Sequence, residues 1–440
     1  MLAEEAVRAA MSEGAEGAEA FEIRMRKISL NVERGVLRTS STIREIGLGV
    51  RAHIGKKLGM AFSTNPPEGA SAGRRAFMNA KASPEDADFH SLPEPRRVEL
   101  MDGLLDDRIR DIDVSEASSI FMDSVEAAKL SPSITSVSGI LTLTYAEVRI
   151  FSSTGVDVSE GRTSFNIFLE VAAKDGDRRG SGFNFFEGRK LDMLDPRRFG
   201  EEAGEIAVKS LDSTRIGVET LPVVFKPKAL QAIVPFIVDE AANAENIQYG
   251  RSFLTNRLNS QIASDQVSII DDGRIPWLIG SSSFDDEGIP TASTRVVEEG
   301  TFRSAIHNWY TAKREGREST GNASRDYRRA PSVGANNVRI EAPNLEMDEE
   351  ELLDVRRGIL VLYTGDTPNL ATGEFSGMAE TAFLIENGEP TRSLRQTSIA
   401  FTLEELMREL DGIGKDVESV GSYLGGSIRL KARVSGPGSS

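Results

Sequence analysis

Two different periods of hydrophobic and polar residues run through the first half of the chain. Phe21, Ile23 and Met25 recur at every second position, and the same period resumes with a shifted phase at Ile28, Leu30 and Val32. A period of two is typical of strands with one buried face. Apolar residues at helical spacing predict helices in segments 2–11, 71–82, 114–130 and 195–211. The first half therefore predicts sheet and helix in alternation.

The second half begins with a short β run, Val223–Phe225, that leads into an apolar helix. The face of this helix that we expect in the core carries Leu230, Ile233, Val234, Ile237, Val238 and Ala241. Beyond it the pattern changes to short strands separated by Gly, Asn and Asp, which is typical of an antiparallel or barrel-like β domain. The predicted fold class is α+β, with a mixed helix and sheet region followed by a strand-rich, barrel-like C-terminal domain.

The chain of 440 residues is longer than a single hydrophobic core usually organises. The stretch "SPEDADFHSLPEPRR" is rich in proline and acidic residues, as linkers are. We therefore predict an N-terminal α/β domain at residues 1–92, a middle α/β domain at 110–217 and a C-terminal β-rich domain at 220–434. The final "SGPGSS", residues 435–440, is predicted to be a disordered tail.

Composition narrows the functional classes. The chain has no cysteine, which removes disulfides, thiol catalysis and cysteine-ligated metals. The N-terminus has no apolar signal region and no run is long enough for a membrane span, so we expect a cytoplasmic protein without a membrane partner. A net charge of −16, from 68 acidic and 52 basic residues, argues against nucleic acid as a partner.

The segment "VDEAANAENI" ends the apolar helix and has the shape of a metal-binding peptidase motif. On a regular helix, positions 239 and 244 diverge by ~140°, so they could not meet at one metal ion. Ala244 has no ligating atom, Asp239 and Glu240 point to different faces, and the three histidines (His53, His90 and His307) are isolated in sequence. Because catalytic zinc usually needs three protein ligands, we predict no metal and no cofactor here.

Several other stretches resemble the TldD/PmbA family, known by the historical label "modulator of DNA gyrase". "EIGLGVRAHIGKKLGMAFST" and "ASPEDADFHSLP" resemble its N-terminal domain. "SSFDDEGIPTASTRVVEEGTFRSAIHNWYTAKREGRESTGNASR" and "NLATGEFSGMAETAFLIENGEP" resemble its C-terminal domain. The resemblance covers almost the whole chain, and it rests on the order and spacing of these pieces together.

The resemblance implies a role without catalysis. TldD-type members carry a His-Glu-x-x-x-His helix and a later cysteine that bind zinc, whereas TldE/PmbA-type members keep the fold without those ligands. The degenerate motif here has Asp239, Glu240 and Ala244 at the three positions. The implied function is that of a TldE/PmbA-type subunit in a heterodimeric zinc metallopeptidase that cleaves small or unfolded peptides. Its implied partners are a TldD-type zinc-bearing subunit and the peptide, with a homodimer when it is alone.

The basic stretch around "STGNASRDYRR" offers a candidate peptide contact, with Asn322, Arg325, Arg328 and Arg329 as the peptide-binding residues and the three arginines as the groups that would bind carboxylates. The densest acidic clusters, Asp271-Asp272 and Asp285-Asp286-Glu287, have the sequence of ordinary turns. Two alternative functions stay open. One is an independent hydrolase that uses Asp285, Asp286 and Glu287, and the other is a stand-alone, chaperone-like homodimer that binds peptides. Whether Glu240 has a role is also open.

Overall fold

A computed structural model describes residues 2–436, apart from the side chain of residue 66. The first half of the chain contains five helices and six strands. In chain order these are α1 (Leu2–Ser12), β1 (Gly17–Glu33), β2 (Val36–Ile54), β3 (Lys57–Ser63), α2 (Gly69–Ala82), α3 (Asp107–Asp111), α4 (Val114–Ala127), β4 (Ile134–Ser152), β5 (Asp157–Asp175), β6 (Arg178–Gly188) and α5 (Pro196–Lys209). The four helices expected from apolar spacing are all present.

All six of these strands form one antiparallel sheet in the order β3-β2-β1-β4-β5-β6. Residues of odd and even number point to opposite sides of a strand. Residues 17–22 of β1 are buried on both sides, whereas from Ile28 to Val32 only the even-numbered residues are fully buried, which accounts for the phase shift in the sequence. Ile28 and Leu30 pack against α4 and α5. Phe21 faces the other way, toward Phe284 and Tyr327 of the C-terminal region. The sheet therefore has helices on one face and part of the C-terminal region on the other.

Two pairs of helices lie on the sheet, α1 with α2 and α4 with α5, and the two helices of each pair cross at a glycine. A Cβ atom added to Gly73 of α2 would lie 2.0 Å from the carbonyl oxygen of Ala6 in α1. A Cβ atom added to Gly200 of α5 would lie 2.0 Å from the carbonyl oxygen of Ser124 in α4. Both helix pairs thus need a residue without a side chain at the crossing point.

The C-terminal region contains six short helices and eighteen strands. In chain order they are β7 (Ser213–Thr214), β8 (Glu219–Phe225), α6 (Pro227–Leu230), α7 (Val234–Phe236), α8 (Ala244–Gln248), β9 (Ser268–Asp272), β10 (Ser293–Glu298), β11 (Thr301–Phe302), α9 (Trp309–Arg314), β12 (Ala323–Ser324), β13 (Ser332–Val333), β14 (Val338–Glu341), β15 (Glu346–Met347), α10 (Glu349–Leu353), β16 (Arg357–Tyr363), β17 (Glu374–Met378), β18 (Thr381–Glu386), β19 (Glu389–Leu394), β20 (Ser398–Thr402), α11 (Leu403–Glu409), β21 (Gly412–Gly414), β22 (Glu418–Val420), β23 (Tyr423–Gly425) and β24 (Ile428–Ser435).

These strands form a six-stranded sheet in the order β11-β10-β9-β14-β23-β22, a two-stranded sheet of β12 and β13, and a ten-stranded sheet. The longest path through the larger sheet is β15-β21-β24-β8-β16-β18-β19-β7, with β17 and β20 attached beside β24. The apolar segment 229–244 packs with strands of both sheets in one large core. The expected α+β class, with a strand-rich C-terminal region, is confirmed.

The predicted domain limits stay predictions. Strands from the predicted domains 1–92 and 110–217 share one sheet, because β1 pairs with β4 from Glu19 to Val32. β24 extends to Ser435, which the sequence assigned to the disordered tail. Residues 437–440 of that predicted tail lie outside the described residues. Within the described chain, no helix combines the length and the apolar character that a bilayer crossing requires.

The apolar helix expected at the start of the C-terminal domain is broken, which corrects the prediction of a regular helix. Its place is taken by α6, α7, a π-helical turn at Ile237–Ala241 and α8. The predicted core face is nevertheless right, since every residue assigned to it is fully buried. Apolar spacing indicates which side is buried, but it does not reveal where the hydrogen-bond pattern of a helix changes.

Candidate functional site

The candidate site is built on the π-helical turn at Ile237–Ala241. The amide of Ala242 donates to the carbonyl oxygen of Ile237 at 2.8 Å, a bond between residues five apart. Asn243 then adopts an extended conformation and caps α8, with its side chain accepting from the amide of Glu245 at 2.9 Å. Positions 239 and 244 are therefore not related by the regular helical angle assumed from the sequence. Single π turns of this kind are frequent at functional sites.

The carboxylates of the turn already have partners. Asp239 Oδ1 accepts the amide of Ala335 at 2.7 Å, and Glu240 Oε2 accepts Nδ2 of Asn246 at 3.1 Å. Burial raises the pKa of Asp239. Burial raises the pKa of Glu240 as well, and the neighbouring charge of Asp239 adds to the effect. Ala244 is fully buried, and its amide donates to the carbonyl oxygen of Ile306 at 3.0 Å.

These residues do not fit the zinc ion that a peptidase motif at this position would hold. Ala244 supplies no ligating atom, and one carboxylate oxygen of Asp239 already accepts a hydrogen bond from the amide of Ala335. Within residues 2–436, no group of three His, Cys, Asp or Glu side chains is arranged to hold a metal ion. The donor set thus falls short of the three protein ligands usual for catalytic zinc.

The structure brings the turn together with the basic loop that the sequence marked for peptide contact. Nδ2 of Asn243 donates to the carbonyl oxygen of Val333 in β13, and Ala335 donates to Asp239. β13 pairs with β12, so the intervening loop that carries Arg328 and Arg329 begins and ends beside the turn. The two candidate regions are therefore joined by hydrogen bonds at and just after β13, while Arg328 at the far part of the loop lies next to Glu45 of β2.

The four predicted contact residues of this loop lie in two different environments. Arg328 is 54% exposed and lies 3.7 Å from Glu45, and Arg329 is also exposed. Asn322 is buried and donates Nδ2 to Asp271 Oδ2 at 2.7 Å. The side chain of Arg325 is 2% exposed. A peptide-binding role stays a prediction for all four, and Arg328 and Arg329 are the two that solvent reaches.

Arg325 belongs to a network of buried charges that joins the first sheet to the C-terminal region. Its Nη1 lies 2.8 Å from Glu19 Oε1, and its guanidinium lies over the ring of Phe21. Arg51 bridges Glu19 at 3.3 Å and Glu287 at 2.8 Å. Burial alone would raise the pKa of Glu19, but the charges of Arg51 and Arg325 outweigh it and lower that pKa. Sequence spacing alone did not reveal this network.

The acidic cluster 285–287 follows the expected turn chemistry and adds an ion pair. Asp285 accepts the amides of Glu287, Ile289 and Ala323 at 2.9–3.0 Å. Glu287 accepts the amide of Trp309 at 2.8 Å besides its bond to Arg51. Burial raises the pKa of Asp285 well above its ordinary value, and the charge of Glu287 adds to the effect. Asp286 accepts the amide of Arg325 at 2.9 Å, so all three acids are engaged by the protein's own donors.

Asp271 was expected to lie in a turn, but it lies inside β9 and is fully buried. It accepts Nδ2 of Asn322, and both the amide and Nδ2 of Asn336, at 2.7–2.9 Å. His307 is also buried and lies 4.0 Å from Glu315, and burial lowers its pKa. In the described chain no serine hydroxyl is hydrogen-bonded to the His307 ring.

We expect Asp271 to make stability depend on pH. Burial raises its pKa from 3.8 to about 6 in the folded protein. A raised pKa means that folding favours the protonated form of Asp271. The stabilisation of the folded state by this protonation is therefore fully present below the ordinary pKa of 3.8, and it is lost as the pH rises through about 6. Lowering the pH from about 7.5 to about 5 should stabilise the wild type by about 1 kcal/mol relative to Asp271→Asn. Urea unfolding of both proteins measures this, and identical pH dependence would contradict it.

Comparison with known sequences identifies relatives along almost the whole chain. Profiles of PmbA/TldA metallopeptidases match domain 1 at residues 18–80, the central domain at 107–211 and the C-terminal domain at 218–436. A metalloprotease of Methanothermobacter thermautotrophicus is 29% identical over 323 residues, which cover 70% of this chain and 68% of that protein. A metalloprotease PmbA homolog of Haemophilus influenzae is 26% identical over 404 residues, with 88% and 85% covered.

Comparison with solved structures supports the same fold. The crystal structure of TldE from Thermococcus kodakarensis superposes with a TM-score of 0.88 at 24% sequence identity. The match covers 99% of this chain and 100% of that one. At this level of identity the likeness shows a shared fold, and any shared role has to be argued from the residues of the site.

Proposed function

We propose that this chain, which belongs to the PmbA/TldD metallopeptidase family, is a subunit without catalytic zinc in a two-chain peptidase. One observation carries the proposal. In the segment Asp239–Ala244, which resembles a metal-binding peptidase motif in sequence, Ala244 is buried and has no ligating atom, and Asp239 accepts a hydrogen bond from the amide of Ala335. A glutamate without a metal-bound water, such as Glu240, has no nucleophile to activate.

In this proposal the chain contributes a surface for the peptide, and a zinc-bearing relative contributes the chemistry. Arg328 and Arg329 are exposed in the loop between β12 and β13, whose end contacts the π turn through Val333 and Ala335, and they can bind carboxylates of a peptide. The surrounding short strands can pair with an extended main chain independently of its sequence. Such contacts favour short or unfolded polypeptides, because a folded protein has few main-chain groups free for pairing.

Co-purification with metal analysis tests the proposal. The chain is produced alone and together with a relative that carries an intact His-Glu-x-x-x-His motif. We expect a stable complex in equal amounts, with zinc bound in proportion to the relative and none bound in proportion to this chain. Tight, stoichiometric zinc on the chain alone would refute the role.

The same preparation separates the two alternative functions. An independent hydrolase would cleave peptides without the relative and lose activity on substitution of Asp285, although the bonds of that residue to three amides favour a structural role. A stand-alone peptide-binding homodimer would persist when the zinc-bearing relative is added. Either outcome would replace the subunit role with the corresponding alternative.

A further inference from the structure

A cavity lies between the C-terminal region and the end of the first sheet formed by β6. Its volume is about 410 Å³, and it is bounded by α5 and β6 on one side and by α6, β16 and β18 on the other. None of the candidate residues of the π turn or the basic loop lines it. Cavities of this size hold small molecules in many proteins.

One wall of the cavity is aromatic. The ring of Tyr363 stands perpendicular to Phe183 at a centroid distance of 4.8 Å and nearly perpendicular to Phe185 at 5.5 Å. Phe383 also lines the cavity. Edge-to-face packing holds these rings in fixed orientations. The wall therefore offers a rigid apolar surface to an aromatic or branched side chain.

A lysine without a carboxylate partner faces this wall. Lys228 Nζ donates to Asn184 Oδ1 at 2.5 Å and lies 5.8 Å from the centre of the Phe185 ring. Among residues 2–436, no Asp or Glu oxygen lies within ion-pairing distance of Nζ, whereas the nearby Lys226 is paired with both Glu349 and Asp416. An ammonium group has three N–H donors, so two on Lys228 lack a protein acceptor. Burial lowers the pKa of Lys228.

We propose that this cavity binds a small carboxylate with an aromatic or branched apolar side chain, with Lys228 at the carboxylate and the aromatic wall at the side chain. The ammonium of Lys228 is half-buried, and the charges of Glu418 and Glu202 act on it from beyond ion-pairing distance, so the position next to Nζ is open to an anion. A singly charged anion fits best, because the cavity lining carries no excess of positive charge that would favour a phosphate: its four basic residues are balanced by four acidic ones, namely Arg198, Lys209, Lys226 and Lys228 against Glu202, Glu205, Glu349 and Glu418. The site does not depend on the proposed subunit role.

Two sources supply this chemistry, namely a free amino acid and the C-terminal residue of a peptide. Glu418 is the group that could distinguish them. It lines the cavity, burial raises its pKa, and among the described residues no cation lies within ion-pairing distance of it. A free amino acid would place an ammonium group within reach of this carboxylate, and a peptide C-terminus would not.

Calorimetric titration of the full chain tests the site with four probes: N-acetyl-L-phenylalanine, its amide, L-phenylalanine and the peptide Ala-Ala-Phe. We expect the acid to bind about ten- to a hundredfold more tightly than the amide, because a charge-assisted hydrogen bond is lost in the amide. Tighter binding of L-phenylalanine than of the peptide assigns the site to free amino acids, and the reverse order assigns it to peptide ends.

Two variants and a control locate the binding. Lys228→Met should weaken binding of N-acetyl-L-phenylalanine at least about tenfold. Tyr363→Leu should also weaken it, because the substitution removes one aromatic ring from the wall. Lys190→Met is the matched control, because Lys190 also lies over an aromatic ring, Trp277, but outside the cavity. Circular dichroism confirms that each variant is folded. Absence of binding by the wild type, equal binding of acid and amide, or unchanged affinity in both cavity variants would overturn the proposal.

Discussion

Replacing Arg325 with methionine is expected to lower the free energy of unfolding by about 3 to 5 kcal/mol. Methionine keeps much of the volume over Phe21 but removes the charge next to Glu19. The carboxylate of Glu19 is fully buried, so it cannot replace the lost partner with water. Arg51 would then have to neutralise both Glu19 and Glu287.

Urea unfolding followed by tryptophan fluorescence measures this loss, because both tryptophans of the chain, Trp277 and Trp309, lie in the C-terminal region that the network holds against the first sheet. Arg328→Met is the matched control. It removes the same charge three residues away, but Arg328 is 54% exposed and 3.7 Å from Glu45. We expect that control to change stability by no more than about 0.5 kcal/mol.

A double variant distinguishes loss of charge balance from loss of packing. Glu19→Gln combined with Arg325→Met leaves Arg51 paired with Glu287 alone, so no buried charge remains unbalanced. We expect this pair to recover a large part of the stability lost in the single variant, since the penalty comes from an uncompensated carboxylate. Equal stability of the wild type and Arg325→Met would show that the buried ion pair is not needed.

The fold could be predicted from the sequence where period and burial coincide. Apolar spacing located the four helices of the first half, and the phase shift between Met25 and Ile28 marked the change from burial on both faces of β1 to burial on one face. The consequence of that shift could not be predicted. Whether Phe21 packs against a helix or against Phe284 depends on contacts far apart in the chain, and a local pattern holds no information about them.

The candidate site shows the same limit. The apolar face of segment 230–241 was predicted correctly, but the π turn was missed because one additional residue in a turn hardly changes the pattern of apolar positions. Arg325, Arg328 and Arg329 are alike in sequence, yet only Arg325 is buried. Its partner Glu19 lies in the first strand, so only the assembled fold distinguishes a structural arginine from one free to bind a ligand.

Addition of a zinc-bearing relative is expected to raise hydrolysis of an unstructured peptide at least about a hundredfold above that of this chain alone. The reason is the donor set of the π turn. Asp239 is bonded to Ala335, and Ala244 cannot coordinate, so the chain has no group there to generate a hydroxide at neutral pH. A peptide that carries a fluorophore and a quencher reports the rate for each chain and for the mixture.

Glu240→Gln provides the decisive comparison, because Glu240 is the one motif residue that this chain retains. If catalysis belongs to the partner, the variant complex should keep the wild-type rate to within about twofold, since Glu240 is bonded to Asn246 and has no metal-bound water to act on. The same substitution at the corresponding glutamate of the zinc-bearing chain should abolish hydrolysis. Loss of activity in an intact Glu240→Gln complex would instead place this carboxylate in the active site and refute a purely supporting role.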